Sequence, residues 1–152
     1  MVFASGSPYK PIEYEGKTFE PGQGNNMYIF PGIGLGTILS KARHVTDAMV
    51  EQASIALSSS LSRDEETSEL VYPRLTRIRD ISAQIALAVI RSAQLDVCPI
   101  CELCHAAAEL TACYLQDLDE NPLFRQLSDE ALLEYIKAKM WQPTTSHTFT
   151  RL

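Results

Sequence analysis

The stretch "PGQGNNMYIFPGIGLG", Pro21 to Gly36, sets a short run of strand formers between two glycine-rich segments. Met27 to Phe30 are good strand residues, bounded by Asn25-Asn26 on one side and Pro31-Gly32 on the other, and this predicts a short core strand. The glycines of "GIGLG" then follow a predicted strand and open a predicted helix, which is where a dinucleotide fingerprint would stand. The spacing does not fit, because the third glycine of G-x-G-x-x-G falls on Thr37. The next segment, from Val45, is again helical, so no strand follows to close a β-α-β unit. Gly32 to Gly36 therefore read as a strand-to-helix turn whose glycines permit close packing, with a phosphate cradle as the alternative.

The first glycine segment carries more chemistry. Gly22 and Gly24 permit unusual backbone angles, and Asn25 and Asn26 stand at the entrance of the predicted strand. A carboxamide offers two donors and an acceptor without charge, which suits holding a carboxylate and a hydroxyl in one orientation. The plainer alternative is a turn, for which asparagine and glycine are equally suited.

Working outward, "VFAS" (Val2 to Ser5) is a short buried strand candidate, ended by Gly6, Pro8 and Pro11. "IEYEGKTF" (Ile12 to Phe19) alternates and turns at Glu15-Gly16, a small hairpin. "VFAS" and "MYIF" are expected in one parallel sheet, with the helices from Ile33 to Gln94 packed on it.

Beyond His44 the texture is helical. Leu35, Ile38 and Leu39 recur at helical spacing from Ile33 to Ala42, as do Val45, Met49, Ala53, Ala56 and Leu57 from Val45 to Leu61, where Thr46 can cap and Asp47 suits the first turn. "SRDEETSE" (Ser62 to Glu69) reads as a solvated acidic connection. Pro73 can serve as the first-turn proline of a long helix whose stripe is Leu75, Ile78, Ile81, Ile85 and Val89. "CELCHAAAELTACYLQ" (Cys101 to Gln116) suggests a further helix. Ser128 to Met140 suggests a last one, with Ser128 as cap and Leu132, Leu133 and Ile136 inward.

At 152 residues and 45% hydrophobic content the chain can bury one compact core. A net charge of −6 with scattered basic residues argues against a nucleic-acid or anionic-membrane partner. Nothing approaches the roughly 20 apolar residues of a membrane span, and the first residues lack a basic segment followed by an apolar one, so a soluble, non-secreted protein is expected. All four cysteines lie between Cys98 and Cys113, a poor layout for disulfides that staple distant parts, and a reducing compartment fits better. Cys98, Cys101, Cys104 and Cys113, with His105 nearby, could hold zinc or an iron–sulfur cluster. Alternatively they pack as small hydrophobes among Ala106, Ala107, Ala108 and Leu110. His44, His105 and His147 are too dispersed to form a site and read as surface or capping residues.

"FASGSPY", "GKTFEPGQGNNMYIFPGIGLG", "HVTDAMVEQAS", "YPRLTRIRDIS" and "YIKAKMWQP" occur in that order. Together they resemble the carboxyl-terminal part of the malic enzymes, densely from Val2 to about Gln94 and again from about Ser128 to Pro143. The resemblance implies an α/β fold: the C-terminal portion of a Rossmann-like dinucleotide-binding domain over residues 1–95, a divergent cysteine-containing helical segment over 96–127, and a C-terminal helix and tail over 128–152. It implies oxidation of malate by NAD or NADP and decarboxylation to pyruvate and CO2, assisted by a divalent cation, Mg or Mn. The first Asn of "GNN", Asn25, corresponds to a malate contact. Asn26 lies toward the nicotinamide, and Ser5 and Gly6 line the cofactor pocket.

In the family the proton-transferring tyrosine and lysine, the acidic metal ligands, the main dinucleotide fingerprint and a Ser-Asn-Pro asparagine precede the matched part. No catalytic residue is therefore expected here, and the chain reads as a fragment, inactive alone. Its implied partners are malate, the remainder of a malic enzyme polypeptide and further copies in a homo-oligomer, in the cytoplasm or mitochondrial matrix. The competing expectation is a small helical metal-binding or protein-interaction module built on Cys98 to Cys113.

Overall fold

The computed structural model describes residues 3–42, 44–95 and 122–142. Strand β1 (Ala4–Ser5) pairs in parallel with β4 (Gly22–Gln23), Ala4 opposite Gly22 and Ser5 opposite Gln23. Between them, β2 (Ile12–Tyr14) and β3 (Lys17–Phe19) form the expected antiparallel hairpin. Glu15 (φ 49°) and Gly16 (φ 72°) are both left-handed at its tip, as a two-residue turn matched to the strand twist requires.

The strand expected at "MYIF" is not there. The parallel partner of β1 lies earlier, at Gly22–Gln23, while Asn26–Tyr28 form a 3-10 turn and helix α1 begins at Phe30 and runs to Ser40. Two local causes are visible. Asn25 Oδ1 accepts the Met27 N–H at 3.0 Å, which caps the turn. Pro31, read from sequence as the end of a strand, occupies the first helical turn, where its fixed φ is suited and its missing N–H does no harm. The chain is α/β, but two-residue strands offer little surface, and the helices pack on one another around α4 (Ile78–Leu95) rather than spreading over the sheet.

Helix α4 is buried on two sides. Ile81, Ile85, Val89 and Ala93 form one core with Met49 and Ala53 of α2 (Asp47–Ser58), and Ala83, Ala86 and Ile90 form another with Phe124, Leu132 and Ile136. Thr46 caps α2 as expected, accepting the Met49 N–H at 3.2 Å. The expected stripe on α4 holds for Ile81, Ile85 and Val89. Leu75 is exposed because Leu75–Arg77 form a 3-10 turn with a different periodicity. Pro73 lies ahead of that turn and not in the first turn of the helix.

On α1, Gly32, Gly36 and Ser40 are buried at four-residue spacing along the face that meets α4. The glycines do serve close packing, but from within the helix and not in a turn before it. The Ser62–Glu69 segment also departs from expectation: it contains helix α3 (Arg63–Thr67) and buries Glu65.

Two helices follow at the end, α5 (Pro122–Gln126) and α6 (Asp129–Lys139). Ser128 caps α6 by accepting the Ala131 N–H, with Leu132 and Ile136 fully buried and Leu133 partly so. Arg91 of α4 donates to the carbonyls of Phe124 and Leu127 at 2.9 and 2.7 Å and to Asp129 Oδ1 at 2.8 Å, tying α5 and α6 to the core. The helix expected at Cys101 to Gln116 lies outside the described residues.

Candidate functional site

The parallel pairing of β1 and β4 brings their carboxyl ends side by side. Gly24 N–H donates to the Ser5 carbonyl at 2.8 Å, and Gln23 Nε2 donates to the Gly6 carbonyl at 3.4 Å. Ser5 and Gly6, read from one motif, thus lie beside the Gly24-Asn25-Asn26 segment read from another. Carboxyl ends of parallel strands are where α/β folds commonly place ligands, because the strands stop and the following loops diverge there. Ser5 is half-buried, with its Oγ accepting the Ser7 N–H at 3.3 Å, while Gly6, Asn25 and Asn26 are exposed.

Asn25 serves as a turn residue and keeps its chemistry. Its Oδ1 is occupied by the Met27 N–H, which decides the orientation of the amide and leaves the NH2 as two donors without a partner among the described residues.

The turn rests on residues the sequence reading did not single out as a site. Tyr28 is buried, donates its hydroxyl to the Pro73 carbonyl at 2.5 Å and stacks on Tyr72 with centroids 5.5 Å apart. Burial, and then the negative charge of Glu65, hold the Tyr28 hydroxyl protonated to higher pH than an ordinary tyrosine. Glu65 is the polar centre beneath. Its carboxylate accepts the Ser62 N–H at 2.9 Å, the Arg74 N–H at 2.8 Å and an N–H of Arg77 at 2.7 Å. Burial by itself pushes its pKa up, but hydrogen bonds from the Ser62 and Arg74 backbone, the Ser62 hydroxyl and the Arg77 charge outweigh this, and the pKa lies below the ordinary value. Arg74 in turn grips Glu20 with two hydrogen bonds, at 3.2 and 2.6 Å. One signal in the sequence could have found Glu65: Ser62-x-x-Glu65 is a capping-box pattern, and the box is formed.

An open groove of about 830 Å³ lies between the hairpin and the end of α3, lined by Phe3, Tyr14, Phe19 and Glu69 among others, and includes none of the four predicted site residues. Among the described residues no group of three or more His, Cys, Asp or Glu side chains could hold a metal ion. Cys98, Cys101, Cys104 and Cys113 lie outside the described residues, as do His105 and His147; His44 is exposed.

The family model for the NAD binding domain of malic enzyme matches residues 1–94. The chain belongs to the malic enzyme family. It is similar to the mitochondrial NAD-dependent malic enzyme 1 of Arabidopsis thaliana, with 43% identity over 144 residues, covering 94% of this chain and 21% of that protein. It is also similar to the NADP-dependent malic enzyme of Dictyostelium discoideum, with 55% identity over 92 residues, or 60% of this chain and 17% of the relative. The chain thus spans about a fifth of the length of these malic enzymes. The family match ends with α4, yet the second core of α4 is completed by α5 and α6, so the two parts of this malic enzyme segment fold around one helix.

Among the described residues, a Cβ on Gly6 would meet only the Gly24 carbonyl, at 3.8 Å, so their packing does not demand glycine there.

Proposed function

We propose that this segment is the carboxyl-terminal part of the dinucleotide domain of an enzyme that oxidises malate with NAD or NADP and decarboxylates the product to pyruvate and CO2. The observation that supports the reading is that Ser5 and Gly6 are hydrogen-bonded to Gln23 and Gly24, the residues just before Asn25 and Asn26, at the ends of two parallel strands in a chain of the malic enzyme family. Asn25 binds substrate: its amide NH2 donates to a malate carboxylate and fixes the direction in which the hydroxyl-bearing carbon points. Ser5, Gly6 and Asn26 hold the cofactor, which when bound accepts the hydride leaving that carbon. Because the amide is uncharged, it orients the carboxylate without neutralising it, leaving that charge for other groups of the complete enzyme. The divalent cation, Mg or Mn, has no ligand cluster among the described residues, and no step here is assigned to it.

Residues 1–152 alone are expected to be inactive. A carboxylate held by Asn25 and nearby backbone gains a few hydrogen bonds of about 1 kcal/mol net each, less than the several kcal/mol of translational and rotational freedom lost on binding. The partners on this reading are malate, the rest of a malic enzyme polypeptide and further copies in a homo-oligomer, in the mitochondrial matrix or the cytoplasm.

The test is to supply a complete enzyme carrying this segment with malate, Mg or Mn, and either NAD or NADP, following nicotinamide absorbance and pyruvate. Malate-dependent reduction with one pyruvate per reduced cofactor is expected. No reduction with either cofactor would overturn the reading.

A further inference from the structure

We propose that Tyr28 and Tyr72 are positioning residues that aim the Asn25 amide, an inference that rests on Asn25 being the malate contact. The Asn25 turn is held at both ends by two consecutive residues on the far side of the chain. Before Asn25, the Gly24 backbone lies on the Tyr72 ring, so closely that a Cβ there would be 3.2 Å from Tyr72 Cε2. After it, the Tyr28 ring stacks on the same Tyr72 ring, with an interplanar angle of 24°, and its hydroxyl donates to the Pro73 carbonyl. The Tyr72-Pro73 platform is itself fixed: the next residue, Arg74, donates its N–H to buried Glu65 and its guanidinium to Glu20.

This arrangement is specific to the turn. Tyr28 is fully buried but belongs to neither hydrophobic core cluster around α4. A phenylalanine would fill the same volume. The hydroxyl adds angular definition, since one hydrogen bond to a fixed carbonyl together with a stacked ring removes both tilt and rotation of the residue. The backbone from Tyr28 back to Asn25 is one 3-10 turn, closed by the Tyr28 N–H donating to the Asn25 carbonyl at 3.1 Å. Any tilt of Tyr28 is therefore carried to the amide, and a reacting group displaced by about 1 Å loses on the order of 100-fold in rate.

Tyr28→Phe deletes the hydroxyl and keeps the ring, while Tyr72→Leu removes the platform. In this chain, amide exchange at Met27 and Tyr28 is expected to quicken about 10-fold in Tyr28→Phe, with a smaller change along α4. In a complete malic enzyme carrying the segment, kcat with malate is expected to fall about 10-fold well below the melting temperature. The KM for the cofactor should hold, and Tyr72→Phe should recover much of the rate lost in Tyr72→Leu. The deciding arm is a double-mutant cycle. If Tyr28 acts through Asn25, Tyr28→Phe lowers kcat no further once Asn25→Ala is present. Multiplicative effects, or a lowered Tm with unchanged kcat and turn exchange, would overturn the positioning role alone. If Asn25→Ala by itself leaves kcat unchanged, the malate contact is lost as a reading, and the positioning role with it.

Discussion

Gly32 of α1 lies against Ile85 of α4 with no room for a side chain between them: a Cβ on Gly32 would stand 2.5 Å from Ile85 Cγ2 and 3.0 Å from the Ser82 carbonyl. Gly36, one turn on, repeats the relationship with Val89 at 2.7 Å and the Ala86 carbonyl at 2.9 Å. Because a backbone carbonyl is among the close atoms, a rotamer change cannot relieve the clash and the helices must part. Gly32→Ala and Gly36→Ala are each expected to lose about 1–3 kcal/mol of stability. Gly34, on the same helix, has nothing within 4 Å of its would-be Cβ, and Gly34→Ala should gain about 0.5–1 kcal/mol from helix propensity. Urea unfolding of the three variants checks this; equal effects would contradict the packing.

Glu65 makes a second prediction, in pH. Its carboxylate is 2% exposed while its partner Arg77 is 38% exposed, so the loss in Glu65→Gln should fall below the 3–5 kcal/mol of a fully buried pair, at about 2 kcal/mol. The folded pKa is below the ordinary 4.5, so the folded state favours the ionised form. The stabilisation is therefore full above about pH 4.5 and is lost as pH falls through the lower folded value. Urea midpoints of wild type and Glu65→Gln are expected to differ at pH 7 and converge in acid. A constant gap across pH would show that the charge is not responsible.

Asn25 separates turn from chemistry through two substitutions. Asn25→Asp keeps the oxygen that caps the turn, and aspartate caps as well as asparagine, so the melting temperature should hold. It replaces the amide donors with a negative charge facing an anionic substrate, so kcat/KM for malate in a complete enzyme should drop by at least about 100-fold. Asn25→Ala should lose activity and also about 1 kcal/mol of stability with the cap. Full activity in Asn25→Asp would show that the amide does not bind a carboxylate.

Association is the fourth expectation. Helix α1 buries one face on α4 and presents Phe30 and Ile38, 74% and 73% exposed, on the other. Large exposed apolar side chains on one face favour contact between copies. Purified alone, the chain should show a weight-average mass that rises with concentration in light scattering, and Ile38→Lys should reduce it. A constant monomer mass for the unaltered chain would count against this.

Much of the local structure was legible because it is made by residues a few positions apart. Thr46 and Ser128 cap their helices through N–H groups three residues on, and Glu15-Gly16 turn the hairpin by their own backbone angles. The α4 stripe at Ile81, Ile85 and Val89 follows from helical periodicity alone. Asn25 and Asn26 stand out by their amide chemistry beside glycines, whereas their roles, and Ser5 and Gly6 altogether, came from motif likeness, which preserves identity and order but carries no distances.

What the sequence by itself determined, then, was the type of most helices, their caps, the hairpin and the family. The Asn25 cap and Pro31 are local signals against a strand at Met27 to Phe30, but it took tertiary contacts as well to move these residues out of the strand conformation their composition favours. The contacts involved are distant in the chain: the Tyr28 hydroxyl finds the Pro73 carbonyl 45 residues away, and α1 is laid against α4 across Gly32 and Ile85. Glu65 shows the same division within one side chain, its bond to Ser62 three residues off and readable, its bonds to Arg74 and Arg77 nine and twelve residues off and not. Strand propensity is worth at most about 1 kcal/mol per residue and depends on what the side chain packs against. A buried ring, a satisfied hydroxyl and a close helix contact together exceed it, and none of them exists until the chain has folded back on itself.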